Sequence, residues 1–204
     1  MADCSDCKHA LLPSQQALLQ APDPESSTRR KLLQLTAGVA LGITGLSPAI
    51  AFARPAAGDR LVLEDAEGTP TPLRVQDIPM AGKPVLAFPF APATKTIKDD
   101  SRLNKIVLMR FAESDLDAET KKRAVKGVVA YSAICTHQAC DVKTWVAKDK
   151  ALVCFCHSSQ FLLHENAKVN GGPAPRALPG LPLAEEGGQL VITGPFTGKP
   201  GGSA

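Results

Sequence analysis

Aromatic residues are scarce in this sequence: one Trp, one Tyr and seven Phe make up 4% of 204 residues. An excess of one charge is missing too, since 23 Lys and Arg face 20 Asp and Glu for a net +3. A nucleic-acid surface normally shows a clustered basic stripe, and this mild balance offers none, so nucleic acid is excluded as a partner. Apart from one stretch near the N-terminus there is no long apolar run, and no segment repeats. With 44% apolar and 21% charged residues, the composition is that of an ordinary globular protein. It excludes a disordered tail and a polytopic membrane protein. No side chain stands as a nucleophile or general base with its partners, so no substrate chemistry of the chain's own is expected. What the sequence does contain is 16 Gly and 17 Pro, which favour turns and short strands, and six Cys with four His. So few Cys and His suffice for one metal site, and their placement decides the matter.

Ser27-Thr28-Arg29-Arg30-Lys31 sets a twin arginine before an apolar run from Leu32 to Ile50 that Gly38, Gly42 and Gly45 dilute. Ala51-Phe52-Ala53 then forms a small-residue cleavage site ahead of Arg54. Residues 1–53 thus resemble a twin-arginine (Tat) export signal. Left uncleaved, the same segment would serve as an N-terminal anchor helix in the inner membrane, at about the minimum spanning length. The resemblance implies a periplasmic protein, exported already folded into a compartment where a disulfide persists. Cys4 and Cys7 form a C-x-x-C ahead of the signal, with His9 nearby. Because cleavage would remove them, they are read as incidental.

Residues 54–204 are enough for one domain with a real core. Short apolar or β-branched runs bounded by Gly, Pro or charge predict strands at 60–63, 84–90, 105–111, 127–134, 151–155 and 189–193. Leu181–Ala184 and Gln189–Thr193 flank Glu185-Glu186-Gly187-Gly188, which predicts a hairpin with a glycine turn. One helix is predicted over Leu116–Lys126, capped by Asp115 or Asp117 and stopped by Gly127. The Gly/Pro-rich tail from Gly194 reads as an irregular strand or loose coil. The expected class is mainly β, with antiparallel sheets.

The chemistry is concentrated in two boxes, Cys135-Thr136-His137-Gln138-Ala139-Cys140 and Cys154-Phe155-Cys156-His157-Ser158-Ser159. Each follows a predicted strand, so each would occupy a loop on a rigid support. Each offers one Cys and one His within four residues, plus a further Cys. Two thiolates with two imidazoles suit a tetrahedral zinc ion. They equally suit an iron–sulfur cluster in which His replaces two of four Cys. Spacing alone leaves both open. His164, outside both boxes, is read as a surface residue.

The two boxes closely resemble those of the Rieske iron–sulfur family, whose pattern is C-T-H-x-G-C followed by C-P-C-H-x-S. Ala139 replaces the family Gly and Phe155 the family Pro, and sixteen residues separate His137 from Cys154. Gly172-Pro173-Ala174-Pro175 is similar to the family's proline loop, which covers the cluster. The resemblance implies a Rieske fold with a small cluster-binding subdomain over about residues 131–178. It further implies a 2Fe–2S cluster with Cys135 and Cys154 on one iron and His137 and His157 on the other, and a disulfide between Cys140 and Cys156. Imidazoles in place of thiolates make the cluster easier to reduce, at about −150 to +300 mV against about −400 mV for plant-type ferredoxins. Ser159 matches the family serine that donates to a bridging sulfide. Phe161 stands where high-potential members carry a tyrosine that donates to a ligand sulfur, so a lower potential is expected.

Two functions follow from the resemblance. One is a single-electron carrier, proton-coupled through its His ligands, serving a periplasmic respiratory oxidoreductase such as the arsenite-oxidase type. Its partner would be cytochrome c or a molybdopterin subunit. The other is the iron–sulfur subunit of a cytochrome bc complex, partnered by a cytochrome b subunit and taking electrons from quinol. Quinol docking in that family commonly uses a Leu after the first-box His. Gln138 is polar there, which favours the first function.

Overall fold

A computed structural model describes residues 54–66 and 68–202. The signal-like segment, with Cys4, Cys7, His9 and the twin arginine, lies outside the described residues. Among the described residues, eleven strands in two antiparallel sheets make up most of the regular structure. The larger sheet contains β1 (Arg60–Leu63), β2 (Val85–Ala91), β3 (Thr96–Ile97), β4 (Ile106–Arg110), β5 (Val128–Ser132), β10 (Leu183–Glu186) and β11 (Gln189–Ile192). Its order is β10-β11-β1-β2-β4-β5, with β3 paired to β2. The smaller sheet runs β6 (Thr144–Val146), β7 (Ala151–Cys154), β8 (Ser159–Leu162) and β9 (Lys168–Gly171) in sequence order. No helix among the described residues is long and apolar enough to cross a membrane.

The continuous apolar runs of β4 and β5 have a simple cause: both strands are buried on two faces. Ile106, Leu108, Val128 and Ala130 point into one core with Leu61, Ala87, Leu181 and Leu190. Their alternates Val107, Met109, Val129 and Tyr131 point into a second core with Leu152 and Phe161 of the small sheet and Leu163 just after it. Each such Leu or Phe contributes roughly 1.5–3 kcal/mol on burial. The second core also contains Cys135 and Cys154, so the ligand loops grow directly from packed structure. Tyr131 adds a polar tie, its hydroxyl donating to the Leu163 carbonyl at 3.0 Å. Burial pushes that phenol's pKa up, so it stays neutral.

The helix expected over Leu116–Lys126 is one turn, α1 (Ala118–Lys121), capped by the Asp117 carboxylate accepting from Thr120 N–H at 2.6 Å. It stops early because Thr120 faces inward, where its hydroxyl accepts from Asn166 N–H at 2.7 Å. The chain then reverses through left-handed Lys126 and Gly127 into the Val125–Val128 bridge, so Gly127 makes a turn instead of ending a helix. In the last hairpin Glu186 pairs with Gln189. The turn is therefore Gly187-Gly188 alone, both at positive φ, and Glu185 and Glu186 belong to the strand. Strands β3, β6, β8 and β9 were not legible, being short and interrupted by polar residues. The tail is irregular yet packed, with Thr197 N–H donating to the Gly180 carbonyl at 2.9 Å and Gly201 buried.

Candidate metal centre

Both boxes are hairpin loops, closed in different ways. The first is closed by an isolated bridge between Ile134 and Asp141 and by Cys135 N–H donating to the Cys140 carbonyl at 2.8 Å. The second is the β7–β8 connection itself, with Cys154 and Ser159 paired in the ladder. Each loop contains a non-glycine residue in the left-handed region, Ala139 at φ 57° and Ser158 at φ 58°. Ala139 is the position at which the family pattern has Gly, and the backbone explains the preference.

A disulfide joins the loops through Cys140 and Cys156, whose Cα atoms are 6.6 Å apart. The sulfurs of Cys140, Cys154 and Cys156 lie within 4.8 Å of one another, but the bonded pair has no thiolate to offer. Among the described residues the free thiols are Cys135 and Cys154, each 1% exposed. Burial pushes the Cys154 thiol's pKa up, opposed by the N–H groups of Cys156 and His157 and reinforced by Cys135. A thiol buried like that of Cys154 favours its neutral form unless a cation takes the place of the proton.

The His137 and His157 rings stand edge to face with centroids 4.7 Å apart. His157 is exposed and His137 half-buried, and Nδ1 of His137 is buried with no hydrogen-bond partner. A buried ring nitrogen without a partner is costly, and ligation would satisfy it. Two protected thiols and two adjacent imidazoles fit a group held by two sulfurs and two nitrogens. Ser159 is fully buried, and its hydroxyl accepts from Ala174 N–H at 3.2 Å. A hydroxyl accepting there still has its own proton to donate. Phe161, also fully buried, packs in the core shared with both free cysteines.

The 172–175 segment lies against the second loop. A Cβ on Gly172 would meet Ser159 Cα at 2.5 Å and the Ser158 carbonyl oxygen at 2.6 Å, so only glycine permits this approach. Ala174 is buried, whereas Pro173 and Pro175 are exposed. Phe155 is 76% exposed in the second loop.

Several supports were not anticipated. In the sequence Thr136 stands only as part of a motif, yet its buried hydroxyl donates to the Arg176 carbonyl at 2.6 Å. Arg102 donates to the Ala139 carbonyl and, at 2.8 Å, to Asp141. Lys105 reaches Asp141 at 2.8 Å and Glu64 at 2.5 Å. Burial alone would raise the Asp141 carboxyl's pKa, but hydrogen bonds from Lys105 and Arg102 outweigh it and hold the group below the usual carboxylate range. His164, expected at the surface, is a correction: its side chain is 13% exposed and packs on Phe111 with ring centroids 5.7 Å apart. It is held there because its loop follows β8 into the second core. No signal in the sequence near these residues marked the contacts, which join segments tens of residues apart.

Residues 100–182 match the Rieske [2Fe-2S] domain family. Over 98% of its length the chain is 32% identical to a protein of Haloferax mediterranei called putative respiratory nitrate reductase subunit Rieske, of which it covers 92%. It is 28% identical over 88% of its length to the cytochrome bc1 complex Rieske iron-sulfur subunit of Mycobacterium bovis. To the subunit of that name from Corynebacterium diphtheriae it is 36% identical over 46% of its length. The chain spans 54% of the Mycobacterium protein and 24% of the Corynebacterium one.

Proposed function

The chain belongs to the Rieske [2Fe-2S] proteins, and from that membership we propose that it serves a periplasmic respiratory oxidoreductase as its electron-transfer subunit or partner. It is an electron-transfer protein and carries a Rieske-type 2Fe–2S cluster. Cys135 and Cys154 would hold one iron and His137 and His157 the other. When bound, the cluster accepts and returns one electron at a time. The chain's own task is to keep both sulfurs dry and to turn the two imidazoles toward an approaching partner. Nδ1 of His137, buried and without a hydrogen-bond partner, would be its ligating atom. The observation that carries this reading is that two buried free thiols in contact with each other, and two His rings in contact with each other, stand on two loops joined by a disulfide.

The near-full-length likeness to a respiratory nitrate reductase Rieske subunit supports a large oxidoreductase as partner, with a molybdopterin subunit or cytochrome c exchanging the electron. The twin arginine before a diluted apolar run supports export, with the segment either cleaved or kept as an anchor. Likeness to bc1 subunits supports a second reading, a cytochrome bc complex taking electrons from quinol. Exposed Gln138 and the partial coverage of those relatives favour the first.

Low-temperature EPR of the dithionite-reduced protein is the test. The expected result is a rhombic Rieske signal, and a silent sample containing zinc overturns the assignment. Fractionation that finds the holoprotein in the cytoplasm overturns the export.

A further inference from the structure

The C-terminal tail does more than cover a surface. After β11 the chain is pinned by Thr197, whose hydroxyl accepts from Gly180 N–H at 2.8 Å. It then runs to the outside of the first Cys–His loop. At Gly201 it is buried, and a Cβ built there would meet Leu103 at 3.3 Å and Ile134 at 3.6 Å. At Gly202 the approach is closer still: a Cβ would stand 2.5 Å from the His137 carbonyl oxygen and 3.2 Å from its carbon. Those are backbone atoms, which cannot rotate aside as a flexible side chain can.

Arg176 fastens this strap to the site. Its guanidinium donates to the Gly201 carbonyl at 2.7 Å, and its own carbonyl accepts from the Thr136 hydroxyl at 2.6 Å. Thr136 sits between Cys135 and His137, and Arg176 directly follows the 172–175 loop. One residue therefore links the tail, the first Cys–His loop and the loop that covers the second.

We propose that the strap Pro200–Gly202, fastened by Arg176, is a positioning element that fixes the backbone of His137 and thereby the direction of its ring. The proposal rests on the ligand assignment above. The physical reason is that a ligating ring must be held within roughly 0.5 Å, whereas the loop's bridge, disulfide and ion pairs act at residues 134–135 and 139–141 and leave His137 between them. Only a residue without a side chain at 202 brings the strap this near.

Gly202→Ala is the clean probe, because Gly202 is not at positive φ and the substitution adds bulk without left-handed strain. Gly198→Ala is its control, since a Cβ there meets only Pro179, at 4.0 Å. In the cluster-loaded full chain, Gly202→Ala is expected to speed deuterium exchange of the 135–139 amides at least about tenfold. It should also move the midpoint potential and the EPR line positions, while Gly198→Ala leaves all three unchanged. Arg176→Ala should repeat the effect and Arg176→Lys should reverse most of it, which keeps the test alive if Gly202→Ala does not fold. Wild-type exchange and potential in both Gly202→Ala and Arg176→Ala overturn the proposal. Absence of a Rieske signal from the unsubstituted protein instead removes the ligand assignment on which it rests.

Discussion

The two Cys–His loops offer the same donor types yet are held by different physics. The second is part of a strand ladder, its ends paired at Cys154 and Ser159, with the 172–175 loop seated on its backbone. The first has a single isolated bridge at its base and is gripped from outside by Arg102, Lys105, Arg176 and the tail, partly through its own Thr136 and Asp141. Backbone ladders are short-ranged and little affected by salt, whereas exposed ion pairs are screened by it. The lesson is that a symmetric donor set need not have a symmetric scaffold. The second loop should respond to bulk at Gly172, the first to charge as well as to bulk in the strap that touches it.

The largest expected effect is on the second loop. Gly172→Ala would combine a left-handed penalty of about 1–2 kcal/mol with overpacking of about 1–3 kcal/mol against Ser158 and Ser159, on the order of 4 kcal/mol in sum. Denaturant melts read it directly. A loss below about 1 kcal/mol would show that the close approach at Gly172 is not needed. Next is the link between the loops. Replacing Cys140 and Cys156 together by Ser opens a cross-link between positions 16 apart, which should cost about 3 kcal/mol. If the double variant melts like the parent under oxidising conditions, the disulfide contributes nothing to the fold.

A smaller effect, confined to the first loop, concerns Asp141. Its folded-state pKa is depressed, so its contribution is present above the unfolded value of about 3.9 and fades as pH falls through the lower folded value. Lys105, whose pKa the carboxylates of Asp141 and Glu64 raise against the effect of burial, contributes below its unfolded value and loses that only as alkaline pH passes the raised one. The network should thus be intact across neutral pH. Because the Asp141 side chain is 33% exposed and screened by solvent, Asp141→Asn is expected to cost under about 1 kcal/mol. Amide exchange at 135–139 should quicken in high salt or in Asp141→Asn while 155–158 stays unchanged. Equal response in both loops would erase the distinction drawn between them.

What the sequence made legible follows the same division. The long apolar strands and the glycine hairpin were readable because their signals are local, a run of β-branched residues or two adjacent Gly. The Rieske resemblance named Cys135, His137, Cys154 and His157 because both boxes are contiguous. Short β8 was hidden because Ser159 and Gln160 interrupt its apolar pattern, although Ser159 and Phe161 were singled out within it. The supports of the first loop could not be read: Arg102, Arg176 and Gly202 reach it from segments whose local composition says only surface or tail. His164 was misplaced because a lone polar residue carries no mark of the Phe111 ring it packs on.

The smallest effect sharpens the comparison, because each loop contains one non-glycine residue in left-handed backbone, Ala139 or Ser158. Ala gains nothing from that conformation, and relief by Gly is worth about 1–2 kcal/mol. Against this, Gly gives the unfolded chain extra freedom worth about 0.4–1 kcal/mol. The hydrogen bond from Arg102 is to the Ala139 carbonyl and survives the substitution. Ala139→Gly should therefore stabilise the protein by about 0.5 kcal/mol, a rise in Tm of roughly 1–2 °C for a domain of this size. Calorimetry resolves that difference. A lower Tm would mean that the Ala139 methyl group packs against the strap closely enough to outweigh the strained backbone, and the first loop would then depend on a side chain of its own for that contact.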